Sequence, residues 1–110
     1  GSVTRGFIGI APQDVTPELA ESLKLSAARG ALVAQVTKGG PADKGGMKTG
    51  DVIVGVDGKS IQDSVAAMAA IAALKPGSTA KFKVTRNQKD IELGVTVARR
   101  PAPPKVRRAQ

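Results

Sequence analysis

The chain has no cysteine, no histidine, no tryptophan and no tyrosine, and only two phenylalanines. Without cysteine there are no disulfides and no thiolate metal sites, and nothing marks a redox compartment. Without histidine, a Ser-His-Asp or Cys-His catalytic arrangement and a histidine-based metal site are excluded. The carboxylates form no metal-ligand run, since Asp51 and Asp57 both stand at turn positions. No catalytic residue, metal or cofactor is therefore assigned to the chain. Nor does any stretch approach the roughly 18–20 apolar residues of a membrane-crossing helix, so no direct membrane insertion is expected. No charged leader followed by an apolar run marks a signal peptide.

What remains is enough for one domain. The 110 residues are 41% hydrophobic, so the core must be built from Val, Ile, Leu, Ala and Met rather than aromatics. The formal charge of +8 is concentrated at the end, where Arg99, Arg100, Lys105, Arg107 and Arg108 are accompanied by no acid. The run Pro101-Ala102-Pro103-Pro104 in the same segment is unsuited to a sheet and favours an extended chain. Residues 99–110 thus read as a basic, proline-rich linker. Without aromatics for stacking, their basicity does not point to nucleic acid. The opening Gly1-Ser2 has the look of an expression scar, which would set residues 1–4 apart and make the chain a domain cut from a longer protein.

Local signals divide the interior. Phe7-Ile8-Gly9-Ile10 is a short strand candidate, and Thr16-Pro17-Glu18 carries an N-cap, a proline at the first helical position and an early acid. That helix is expected to run to about Leu25, with Leu19, Ala20 and Leu23 on one face. Residues 31–36 form a strand, and Gly40-Pro41-Ala42-Asp43-Lys44 one or two helical turns. Gly50-Asp51 feeds a strand over 51–56 that ends at Asp57-Gly58. A second full helix spans 63–74, capped by Asp63 and stopped by Pro76-Gly77. Residues 79–86 and 90–98 alternate at period two around Asn87-Gln88, the mark of a hairpin. The fold class is α+β: five to six short strands curled into a small open barrel and capped by two helices.

Taken in order, six motifs carry a family resemblance. They are Arg5-Gly6-Phe7-Ile8-Gly9-Ile10, Thr16-Pro17-Glu18-Leu19-Ala20, Arg29-Gly30-Ala31-Leu32-Val33, the stretch from Gly40 to Met47, Gly50-Asp51-Val52-Ile53, and Lys75-Pro76-Gly77. In this order and spacing the chain resembles a PDZ domain of the bacterial HtrA/Deg serine protease family, most closely the first such domain, over roughly residues 5–98. The resemblance implies a peptide-binding module. The segment of Phe7, Ile8, Gly9 and Ile10 stands where PDZ domains bind a peptide carboxylate with backbone amides, and Arg5 stands just upstream. Ala11, Pro12 and Gln13 would form the edge onto which the peptide adds as a strand. Ser64, Met68 and Ile71 would face the groove, with Ala72 at its margin. Pro12 departs from the pattern, because it removes an N–H that PDZ domains commonly offer to the peptide.

The function implied is capture of hydrophobic C-termini of misfolded polypeptides in the service of a serine endopeptidase. Its setting would be the periplasm or cell envelope, in quality control. The partners implied are extended or C-terminal hydrophobic peptides, the protease domain, a second PDZ domain in some family members, and further copies of the parent. Two alternatives stand beside it. One is a PDZ domain of another envelope protein, such as a metalloprotease or secretion component. The other is a docking domain without C-terminal peptide binding, of which Pro12 would be the signature.

Overall fold

The computed structural model describes residues 6–25 and 28–99. Arg5, the leading residues 1–4 and the basic tail from Arg100 onward lie outside the described residues. In chain order the elements are β1 (Gly6–Phe7), β2 (Ile10–Asp14), α1 (Pro17–Ser22), β3 (Ala31–Val36) and α2 (Pro41–Lys44). They continue with β4 (Val52–Val56), β5 (Lys59–Ser60), α3 (Ser64–Ala72), β6 (Thr79–Arg86), β7 (Lys89–Thr96) and β8 (Ala98–Arg99). A six-stranded antiparallel sheet runs β2-β3-β4-β6-β7, with β5 paired to β4, and β1 pairs with β8 in a separate two-stranded ribbon. The α+β class and the open antiparallel sheet are as expected, with the short α2 as a third helix.

Local chemistry explains most boundaries. Thr16 Oγ1 accepts the Leu19 N–H at 3.1 Å, capping α1 as its sequence requires. The helix stops at Ser22 rather than Leu25, because Lys24 turns left-handed at φ 57°. The Leu25 and Lys24 amides then close on the carbonyls of Ala20 and Glu21, a Schellman ending made without glycine. Asp63 caps α3 through the Ala66 N–H at 2.8 Å. Asn87 and Gln88, at φ 51° and 68°, make the tight turn between β6 and β7.

Two further expectations are corrected. Phe7-Ile8-Gly9-Ile10 is not one strand: Phe7 belongs to β1, Ile10 opens β2, and Gly9 at φ 77° breaks the extended chain between them. The last arm of the hairpin does not run to Ala98, because β7 ends at Thr96 and the chain crosses to pair β8 with β1, Phe7 opposite Ala98.

The sheet separates two apolar clusters. Its inner face packs Val33, Ile53, Phe82, Val84 and Val95 against Ile8, Ala67 and Ile71. Its outer face carries Val52, which packs with Val15 and with Ala20 of α1, and with Leu19 and Leu23 beside them. A register shift between Ile53 and Gly55 lets Ile53 and Val56 share the inner cluster while Val52 and Val54 meet the outer one.

One buried charge lies among these apolar residues. Asp51, only 1% exposed, accepts the Lys48 N–H at 2.9 Å, which is its turn role. Its carboxylate also receives Arg86 Nε at 2.8 Å and Arg86 Nη2 at 2.6 Å, and Nη2 reaches the Gly46 carbonyl at 2.8 Å. The bidentate pair ties the turn before β4 to the end of β6, and the Asp51 carboxylate holds the guanidinium pKa above its ordinary value. Arg86→Ala leaves a buried carboxylate without its cation and is expected to cost about 2–4 kcal/mol. The midpoint of urea unfolding measures this, and Arg86→Lys should recover only part of the loss because an ammonium cannot make the two-pronged contact.

Candidate peptide groove

The candidate site lies between β2 and α3. β2 is the edge of the main sheet, so one side of its backbone has no strand partner. The Thr37 N–H donates to the Gly9 carbonyl at 2.9 Å, which turns Gly9 toward β3. By antiparallel alternation Ile10 and Pro12 then present their backbone to the open side. The pairing with β3 shifts register between Ala11 and Pro12, and proline at a bulge on an edge strand leaves no sheet donor unsatisfied. It also leaves the open edge with one N–H fewer.

At the head of the groove the loop of Ile8 and Gly9 has its carbonyls committed. Ile8 O accepts from Ala42 N at 2.8 Å and Gly9 O from Thr37 N at 2.9 Å. Neither of the two amides donates to another backbone group among the described residues. With the outward amide of Ile10 they make a short run of available donors, the kind of backbone concavity that holds an anion. A Cβ on Gly9 would stand 3.2 Å from Thr37 Cβ, on top of the strain of a positive φ.

Beside these amides is a cavity of about 100 Å³. Phe7, Ile8, Ile10, Met68, Ile71 and Ala72 line it. Sequence spacing alone left Met68 and Ile71 open between core and groove, and they divide. Ile71 is 4% exposed and serves the core as well, whereas Met68 is 41% exposed and lines the cavity from outside the core cluster. Larger depressions of about 460 and 520 Å³ lie elsewhere, lined by groups such as Lys24, Arg29, Lys83, Arg86 and Gln88.

Other residues singled out from the sequence fall differently. Ala11 and Gln13 are exposed, on the opposite side of β2 from Ile10. Ser64 does not line the cavity. Its N–H and Oγ donate to Asp14 Oδ1 at 2.8 and 2.7 Å, tying the last residue of β2 to the first turn of α3. Sequence reasoning missed Asp14 as a site residue, although it stands four positions after Ile10 and so on the same side of the strand. Gly6 was also missed as a positioning residue. A Cβ there would fall against the Ile71 carbonyl oxygen and 2.7 Å from that of Leu74, so only glycine lets β1 rest on the end of α3.

The Ser64 hydroxyl, followed by its amide, lowers the Asp14 carboxyl below its ordinary pKa of 3.8. The bridge is therefore intact above the usual carboxylate range and is lost only as pH falls through the lowered value. Ser64→Ala should move the Asp14 pKa back upward in a carbon-13 NMR titration, and an unchanged value would contradict the assignment.

Comparison with known proteins identifies the family. A family model described as "PDZ domain" matches residues 6–97. A "probable periplasmic serine endoprotease DegP-like" of Ectopseudomonas mendocina (strain ymp) is 46% identical over 101 residues, covering 92% of this chain and 21% of the relative. A protein of the same description from Rhizobium meliloti (strain 1021) is 41% identical over 109 residues, covering 94% and 22%. The chain thus spans about a fifth of the length of the curated relatives it matches. Among solved structures, "HtrA-type protease AlgW with decapeptide" aligns at TM-score 0.83 and 40% identity, over 92% of this chain and 31% of that one. The HtrA3 PDZ domain bound to a phage-derived ligand, FGRWV, aligns at 0.73 and 29% identity, over 88% of both chains. Among the described residues no helix is long and apolar enough to cross a membrane.

Proposed function

The chain belongs to the PDZ-domain family, in the form found in HtrA/DegP-type serine endoproteases, and on that premise we propose that it captures the C-terminal ends of hydrophobic polypeptides. The observation that carries the reading is the conjunction at the groove head. Free amides at Ile8 and Gly9 stand beside a small apolar cavity and an unpaired strand edge. A terminal carboxylate takes the amides of Ile8, Gly9 and Ile10, the last side chain enters the cavity, and the preceding residues lie along β2. Arg5, outside the described residues, is proposed to add positive charge near the carboxylate.

Cavity size sets the preference. About 100 Å³ is less than the ~150 Å³ that admits benzene in an engineered protein, so Val, Ala or Leu is favoured over Phe as the last residue. The HtrA3 ligand FGRWV also ends in valine. No histidine exists in the chain to select a hydroxyl side chain from the head of α3.

The wider reading follows from the relatives' names. The parent is proposed to be a periplasmic serine endoprotease that uses this domain to gather exposed chain ends in protein quality control, and to assemble with further copies of itself. A second reading, docking within the parent without peptide capture, is favoured by the donor missing at Pro12.

Calorimetry with a valine-ending peptide tests the first reading. Amidating its terminus should weaken binding at least about tenfold, since hydrogen bonds to a charged group are worth about 1.5–3 kcal/mol. Met68→Asp, which places a second carboxylate beside the first, should weaken the free acid similarly. Equal affinity of acid and amide would overturn capture through the terminal carboxylate, and no binding of either form would favour docking.

A further inference from the structure

Readily oxidised side chains are scarce in this chain, and the scarcity isolates one of them. With no cysteine, histidine, tryptophan or tyrosine, the two methionines are the side chains most open to mild two-electron oxidants. Their settings differ. Met47 is buried in the main core cluster, where peroxide reaches its sulfur only if the fold opens. Met68 is exposed, stands outside that cluster and lines the cavity beside the Ile8 and Gly9 amides. Around it Phe7, Ile8, Ile10, Ile71 and Ala72 are apolar, and their side chains offer no donor to a sulfoxide oxygen. The helix that carries Met68 has no charged residue.

We propose that Met68 is a reversible oxidation site that governs whether the groove accepts an apolar chain end, a role that rests on the peptide reading above. The oxidant is hydrogen peroxide, and a lone pair of Met68 Sδ attacks one of its oxygens. An S–O bond forms as the O–O bond breaks, the transferred oxygen passes its proton to the departing hydroxide, and water leaves. Sulfur is oxidised by two electrons and the peroxide is reduced by the same two. The product carries a strongly polar oxygen on the wall against which the last side chain of a peptide would pack. Seating an apolar residue there strips water from the sulfoxide with no donor to replace it. Its partial negative charge also disfavours a carboxylate nearby. Because Met68 lies outside the core cluster, the fold is left intact, and reduction of the sulfoxide restores the groove.

Limited peroxide treatment, followed by peptide mapping and calorimetry with a valine-ending free-acid peptide, tests the proposal. One oxygen should be gained at Met68, while Met47 stays unoxidised until urea opens the fold. The Met68 sulfoxide form should bind about tenfold more weakly, with an unchanged thermal unfolding midpoint. Methionine sulfoxide reductase should return the affinity to its starting value. Saturating peptide added before the peroxide should slow oxidation of Met68, because the ligand covers the sulfur. Met68→Leu, whatever its own affinity, should bind the same before and after peroxide. Complete oxidation of Met68 that changes affinity by less than about twofold overturns the proposal, as does an equal loss in Met68→Leu. Oxidation of Met47 as fast as that of Met68 would overturn it too. A protein that binds no peptide before oxidation would overturn the peptide reading, and this proposal with it.

Discussion

A helix held at both ends against a strand edge with no partner is the constraint on which the rest depends. At its C-terminal end α3 supports β1, because Gly6 has no Cβ to collide with the carbonyls of Ile71 and Leu74. At its N-terminal end the Asp14 carboxylate holds Ser64. Between these points Ala67 and Ile71 bury the inner side of the helix in the core. The space between β2 and α3 is therefore set by the fold, which would lower the ordering cost of the peptide binding proposed above. The open edge that makes strand addition feasible is also a hazard for uncontrolled pairing. Pro12 and the bulge beside it moderate that hazard by removing one donor from the edge.

Stability is supplied largely away from the groove. The core has a single buried ring, Phe82, and otherwise depends on Val, Ile, Ala and Met fitting closely. The Asp51–Arg86 pair joins the turn before β4 to the tip of the β6–β7 hairpin, and neither residue lines the cavity beside Met68. The outer face of the sheet is covered by α1. This separation lets the groove carry features that a stability-driven surface would not, notably Met68 left 41% exposed on an otherwise uncharged helix. A flexible, polarizable side chain there suits partners of varied sequence.

What the sequence revealed follows the range of the interactions involved. Caps, turns and the alternating hairpin are local, so Thr16, Asp63, Gly50 before β4, Gly58 after it and Asn87-Gln88 announced their elements in advance. The apolar run Phe7–Ile10 misled because its composition suits a strand, while Gly9 supplies the one left-handed residue that turns it into a loop. The end of α1 was overestimated because Lys24 adopts a conformation usually left to glycine. The groove residues Met68, Ile71 and Ala72 were reachable through helical spacing combined with the family resemblance. Asp14–Ser64 and Asp51–Arg86, separated by 50 and 35 residues, were not. Neither partner of either pair carries a sequence mark of the other. The crossing of β8 onto β1 was hidden for the same reason.

The central claim is that chain ends are recognised by the backbone amides at the head of the groove. Nitrogen-15 NMR of the labelled domain, titrated with a valine-ending peptide as free acid and as amide, tests it at the atoms concerned. The account predicts large shifts of the Ile8, Gly9 and Ile10 amides with the acid, and their collapse with the amide. Shifts elsewhere, or identical shifts with both forms, would contradict it.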